Sequence, residues 1–170
     1  MKVEIRQGYL MKLRKVISGG QSGADIAGLE AAKKFGFETG GMMPFGFKTL
    51  DGPKPEYHDM YGLVPHASSS YTPRTRANVR ESDGTIRLAF DFDSKGEICT
   101  KKAIDHYKKT FIDINFFAEQ SIKPAVQWLC ENDIEILNVA GNSEATWAGI
   151  HEKAFVFLED LFKYIRSLSE

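Results

Sequence analysis

The chain has 170 residues, 42% of them hydrophobic and 26% charged, with a formal net charge of −1. That length suits one domain with a single sizeable core, and the near-neutral balance argues against nucleic acid or an anionic membrane as the main partner. No apolar run approaches the ~18–20 residues of a membrane span. The two cysteines, Cys99 and Cys130, stand apart without metal-ligand spacing, which suits a reducing cytosol.

Residues 1–12 read as a poorly ordered leader, with Met11 an alternative start. Leu13 to Ile17 is a short apolar run that predicts a strand, and Ile26 to Phe35 has the periodicity of a helix. Between them lies Ser18-Gly19-Gly20-Gln21-Ser22-Gly23-Ala24-Asp25. Strand, glycine-rich turn and helix is the layout in which backbone N–H groups hold a phosphate or another oxyanion. Gly19 and Gly20 leave the backbone bare, Gln21 and Ser22 add donors, and Asp25 falls in the first helical turn, where the helix dipole favours its charged form. The spacing is neither GxGxxG nor a P-loop. The alternative is a tight turn that needs glycines for its own sake, with Ser22 or Asp25 capping the helix.

Phe37 to Met43 predicts a second strand. Residues 44–73 then lose periodicity, punctuated by Pro44, Pro53, Pro55, Pro65 and Pro73, and carry Tyr57, His58, Tyr61, His66 and Tyr71. So long a segment reads either as a lid over a ligand or as a surface excursion. Arg74 to Glu81 predicts a short helix. Arg74, Arg76 and Arg80 on it suit an oxyanion or serve as a solvated face, and Asn78 sits mid-helix against its propensity. Asp83 lies in the turn before a third strand, Thr85 to Phe92.

Asp91, Asp93 and Glu97 make an acidic loop that reads as a surface turn rather than a Mg²⁺ site. Nothing apolar beside Asp93 or Glu97 in the sequence would raise a carboxyl pKa. Thr100 is a fair N-cap for a helix through Lys109. Thr110 to Phe117 predicts a fourth strand, Ser121 to Glu131 a helix, and Ile134 to Val139 the fifth and clearest strand. The polar turn Ala140-Gly141-Asn142-Ser143-Glu144 follows. A last helix from about Ile150 to Arg166 has an apolar arc wider than one core stripe, as if wedged under a lid or facing a second subunit. The four histidines, His58, His66, His106 and His151, have no ligand spacing. Alternating strands and helices predict a parallel, doubly wound sheet. Ligands bind there at the carboxyl ends of the strands, here the loops after the first, third and fifth.

Three segments together carry a resemblance. Val16 to Asp25 resembles the opening V-I-S-G-G-Q-T-G-x-D of the molybdenum carrier family, which belongs with the YpsA-like and lysine-decarboxylase-like Rossmannoid domains. Arg74-Thr75-Arg76-Ala77-Asn78-Val79 with Ser82-Asp83-Gly84-Thr85 resembles its R-T-x-x-N-V…S-D-G-T block. Leu137 to Gly141, with Ser143, Glu144 and Trp147 through Ile150, is similar to its closing L-N-V-A-G element. The likeness spans about residues 15 to 165.

It implies a Rossmann-like three-layer α/β/α sandwich over residues 13–170, with a mostly parallel, doubly wound sheet of about five strands or more, often as a homo-oligomer. It also implies a nucleotide-like or phosphorylated pterin ligand, molybdenum cofactor (molybdopterin) being the named one. The expected ligand- and phosphate-binding residues are Gly19, Gly20, Gln21, Ser22, Gly23, Asp25, Tyr71, Arg74, Thr75, Asn78, Asp83, Gly96, Thr100, Gly141, Asn142, Ser143 and Glu144, with Trp147 a further stacking candidate and no metal ligand. The related phosphoribohydrolases carry P-G-G-x-G-T-x-x-E after the third strand. Here that stretch is Asp93 to Ala103, without the paired glycines or the downstream glutamate, and Glu97 falls too early to replace it. Gly141-Asn142-Ser143 and Ala148 also depart from the family's G-P-R and proline. The expectation is a cytoplasmic carrier of a phosphorylated pterin without turnover or catalytic residue, with molybdoenzymes as recipients. A nucleotide sensor and a nucleoside-monophosphate phosphoribohydrolase are the alternatives.

Overall fold

A computed structural model describes residue 5 and residues 8–169. The leader expected over 1–12 therefore lies partly outside the described residues. The element order is β1 (Lys15–Ser18), α1 (Ala24–Lys34), β2 (Glu38–Met43), a 3₁₀ turn (Phe45–Phe47), α2 (Tyr57–Tyr61), β3 (Leu63–Pro65), α3 (Tyr71–Glu81), β4 (Gly84–Ala89), α4 (Lys95–Tyr107), β5 (Thr110–Asn115), α5 (Lys123–Glu131), β6 (Ile136–Gly141) and α6 (Ile150–Ser167).

The six strands form one sheet in the order β3-β2-β1-β6-β4-β5, and every neighbouring pair is parallel. β4 is buried at all six positions and β6 at four, as expected for central strands covered on both faces. Their side chains nevertheless divide by face. Ile86, Leu88, Leu137 and Val139 join the main core with α1, α5 and α6, including Leu129, Leu158, Leu161 and Phe162. The alternate positions, Thr85, Arg87 and Asn138, are buried on the opposite face. There the covering helices α3 and α4 supply only a small apolar cluster of Val79, Ala103 and Ile104. The molecule is a Rossmann-like three-layer α/β/α sandwich with one apolar and one partly polar interlayer.

Several boundaries differ from the sequence expectation. β3 adds a sixth strand inside residues 44–73; with only three residues it shows no period. α4 starts at Lys95 rather than near Thr100, because Ser94 is the N-cap and its hydroxyl accepts from Glu97 N–H. Ser94-Lys95-Gly96-Glu97 has the S-x-x-E pattern of a capping box, with the Glu97 carboxyl meeting the Ser94 hydroxyl in place of its N–H. The Thr100 hydroxyl instead donates to Gly96 O inside the helix (3.0 Å). On α6 the inward residues reach the core, while Val156 on the outer face is half exposed. Among the described residues no helix is long and apolar enough to cross a membrane.

Candidate functional site

β1 delivers the chain to Gly19–Gly23 at the carboxyl end of the sheet. Ser18 closes the turn: its hydroxyl donates to Asp25 O (2.9 Å) and accepts from Gly20 N–H (3.2 Å). Gln21 N–H donates to Asp25 Oδ2 (3.3 Å), Ser22 N–H to Gln21 Oε1 (3.0 Å), and Ala24 N–H to Asn142 O (3.0 Å). These amides are satisfied within the protein. The carboxylate of Asp25 reaches back from the start of α1 to the amides of Gln21 and Gly19.

Arg74, from α3, completes the arrangement. Its Nη1 donates to Asp25 Oδ2 (3.4 Å), and the two side chains are only 12% and 8% exposed. Burial pushes the Asp25 carboxyl up, while the Arg74 guanidinium and the amides of Gln21 and Gly19 oppose the shift. Tyr71, one turn earlier on α3, stacks its ring against the guanidinium, 5.5 Å from Cζ.

Across from this pair stands Glu97, in the first turn of α4 and 1% exposed. Among the described residues, the one hydrogen bond to its carboxyl is from the Ser94 hydroxyl at 3.5 Å. Burial pushes this carboxyl up to about 7; the Asp25 charge adds to the rise, and Arg87 opposes it. Arg87 is engaged elsewhere, gripping Asp113 with two bonds of 2.7 Å and donating to Glu97 O at 3.2 Å. The sequence expectation of an unperturbed loop carboxylate at Glu97 is thus corrected. The Ser94 cap starts the helix five residues before Thr100 and so places Glu97 in its first turn, where the fold buries it.

These groups open onto one cavity of about 290 Å³ where the loops after β1, β4 and β6 converge. Of the residues singled out from the sequence, Gly19, Gln21 and Asp25 line it from the first loop, and Tyr71, Arg74, Thr75 and Asn78 from α3. Gly96 and Thr100 line it from α4, and Gly141 and Ser143 from the end of β6. Segment 44–73 contributes Leu50, whose N–H donates to Gln21 Oε1 (3.0 Å). Tyr57 and Tyr61 pack instead in a side cluster with Leu29, Met43 and Leu63.

Other expected residues are spent on structure. Asn78 pairs both amide atoms with the backbone of Met42, at 2.8 and 3.0 Å. Asn142 accepts from Phe90 and Asp91 N–H and donates to Asp91 O, bracing the β4 loop against the β6 loop. Glu144 accepts from Gly149 and His151 N–H at the start of α6. Gly20, Ser22 and Gly23 shape the turn without lining the cavity; a β-carbon on Gly23 would stand 2.3 Å from Asn142 O. Asp83 lies at the amino end of β4, where its carboxylate accepts from Glu135 and Ile136 N–H. Arg80 pairs with Glu81 in solvent. Trp147 stacks on Phe90 (4.8 Å between centroids) beside a second, wide groove of about 1410 Å³ that runs past Phe117 and Val156.

The cavity also holds residues outside the expected binding set, notably Glu97, Ser94, Lys95, Cys99 and Asn138. Two signals point to them: the S-x-x-E pattern at Ser94, and an asparagine inside the apolar run of the clearest strand. Among the described residues, the buried side-chain polar atoms without a hydrogen-bond partner are Ser22 Oγ, the Tyr71 hydroxyl, Arg74 Nε and Asn138 Oδ1. The last three belong to residues that line this cavity. An orphaned buried polar atom costs about 1–3 kcal/mol, and three of the four such atoms belong to residues around this one cavity.

A model of the circularly permutated YpsA SLOG family matches residues 16–162. The chain belongs to that family. A crystal structure of a "Putative molybdenum carrier protein" from Syntrophus aciditrophicus SB is 32% identical to it, with a TM-score of 0.80 over 89% of this chain and 95% of that one. No curated protein matches the chain. The strand order is one that a circular permutation can produce. Moved to the front of the chain, β6 would come first and the sheet would read 4-3-2-1-5-6, a simple doubly wound walk outward from its centre. In this YpsA-type SLOG chain the last strand returns to the middle and brings its loop beside the glycine turn.

Proposed function

We propose that the chain is a binding protein for a phosphorylated, flat heterocycle of the molybdenum-cofactor type. One observation carries the reading: Tyr71, Arg74 and Asn138, which line a single cavity at the junction of the three loops, each carry an unpartnered buried polar atom. The 32% identical relative, named a molybdenum carrier, is consistent with it. Arg74 Nε and the start of α4 at Lys95 and Gly96 would meet the anionic end, since a helix start offers free N–H groups and a favourable dipole. Tyr71 offers a ring and a hydroxyl to the flat end. Molybdenum would arrive as part of the cargo, and the chain's own residues would hold the organic portion.

Mass spectrometry of small molecules released from purified protein tests this. A phosphorylated pterin or nucleotide at near-equimolar yield supports it. Their absence, together with no calorimetric binding of any nucleoside or pterin monophosphate, overturns it.

A second reading rests on Glu97. A carboxyl held near neutrality inside a ligand cavity is what a general acid requires, and such help is typically worth about 10²–10⁴-fold. Release of free base from nucleoside monophosphates, on the order of 1 s⁻¹ and lost in Glu97→Gln, would make the chain a hydrolase rather than a carrier.

A further inference from the structure

We propose that the inner end of this cavity selects its ligand by a donor edge: the Glu97 carboxylate accepts two parallel N–H bonds from a 2-amino-4-oxopyrimidine ring, the edge that guanine and pterins share. The inference rests on the binding reading above and names the chemical class that the site takes.

Among the described residues, the groups around Glu97 leave it no cation of its own. Arg87 on β4 is gripped by Asp113 on β5 through two 2.7 Å bonds. Arg74 on α3 is turned to Asp25. Asp25, facing Glu97 from the start of α1, adds repulsion. Ser94 gives one long contact, at 3.5 Å. A carboxylate buried to 1% exposure must then take either a proton or donors brought by the ligand. Asn138, 3% exposed on β6, lines the same cavity with Oδ1 unpartnered while its Nδ2 donates to Thr85. The inner wall is therefore rich in acceptors.

Two coplanar carboxylate oxygens match two parallel N–H donors, the geometry that makes fork-to-fork pairs strong. Guanine and pterins present N–H of the ring and of the 2-amino group side by side. Adenine presents one donor and one acceptor, and so pairs with the protonated acid instead. Because burial holds the Glu97 carboxyl near 7, the two forms exchange around neutral pH. Burial pushes the Asp25 carboxyl up as well, opposed first by the Arg74 guanidinium and then by the Gln21 and Gly19 amides.

The probes are GMP, AMP and neopterin monophosphate, titrated calorimetrically into the full-length protein at pH 6 and pH 8. All three carry a phosphate monoester, so the ratio of affinities isolates the ring. The GMP-to-AMP preference is expected to rise by up to about a hundredfold from pH 6 to pH 8, about tenfold from each ring, as Glu97 passes from mostly protonated to mostly ionised. In Glu97→Gln at pH 8, GMP should weaken by about tenfold to a hundredfold, the worth of a charged hydrogen bond, while AMP is held or strengthens by up to about tenfold, because the amide presents the donor and acceptor of the protonated acid. Neopterin monophosphate should follow GMP, and the tighter of the two identifies the source of the edge. If all three bind but the preference is flat with pH, or Glu97→Gln weakens GMP and AMP alike, the edge inference fails and the binding reading stands. If none binds the folded wild type, both fail. The wild-type pH dependence decides the matter even if the variant does not fold.

Discussion

The Arg74 guanidinium lies where residue 19 would carry a side chain: a β-carbon on Gly19 would stand 1.8 Å from Nη1 and 2.4 Å from Cζ. Gly19 is therefore a matter of space rather than of backbone conformation, since its φ lies outside the left-handed range that Gly20 and Gly23 adopt. The bare backbone lets a cation from α3 descend onto the β1 loop and meet Asp25.

Gly19→Ala is expected to displace Arg74 from Asp25 while leaving the fold intact, because the displaced group is the flexible end of a side chain. Affinity for GMP or neopterin monophosphate should fall by about tenfold or more, one charged hydrogen bond's worth. Calorimetry beside a thermal melt checks it; unchanged affinity would detach Arg74 from ligand recognition.

Stability should fall as pH rises across the range set by Glu97. Between its ordinary 4.5 and about 7 the folded protein holds a proton that the unfolded chain has released. The folded form thus binds more protons, and the contribution present below pH 4.5 is lost as pH rises through 7, on the order of 3 kcal/mol in all. Urea midpoints of wild type and Glu97→Gln from pH 4.5 to pH 8 are the measurement. The variant should show a flatter profile and be the more stable above pH 7.

Asn142→Ala removes two acceptor bonds and one donor bond, of 2.7 to 3.1 Å, that join the β6 loop to Phe90 and Asp91. Leaving those backbone groups unpaired should cost about 2–4 kcal/mol, a fall in Tm of roughly 5–15 °C for a chain of this size. Ligand affinity should drop only through the loosened loops, more in the off-rate than in the on-rate. A variant as stable as wild type would show that water replaces the side chain.

Asp83→Ala separates a structural residue from a ligand residue. The carboxylate caps the start of β6 through Glu135 N–H (3.0 Å) and Ile136 N–H (2.8 Å), at the opposite end of the sheet from the cavity. Stability should fall by about 1–2 kcal/mol with GMP affinity unchanged within about twofold. A selective loss of binding would return Asp83 to the site.

Sequence alone determined the layer architecture. Apolar runs and amphipathic segments alternate along the chain, and the glycine turn at Gly19–Gly23 and the Arg74 and Leu137 segments identify the family. These are local patterns, carried by residues close to one another in the chain. Tertiary structure decided the strand order, with β6 returned to the centre, and admitted β3, three residues long, through its pairing with Gly41, Met42 and Met43. It also decided the chemistry of the site. Glu97 reads as a loop carboxylate until α3, α4 and the β1 turn close around it, and Asp25 reads as a helix-start anion until Arg74 reaches it. The charge state of a carboxyl depends on its desolvation and on charges a few ångströms away. Those charges sit on residues far apart in the chain, and only the folded sheet brings them together.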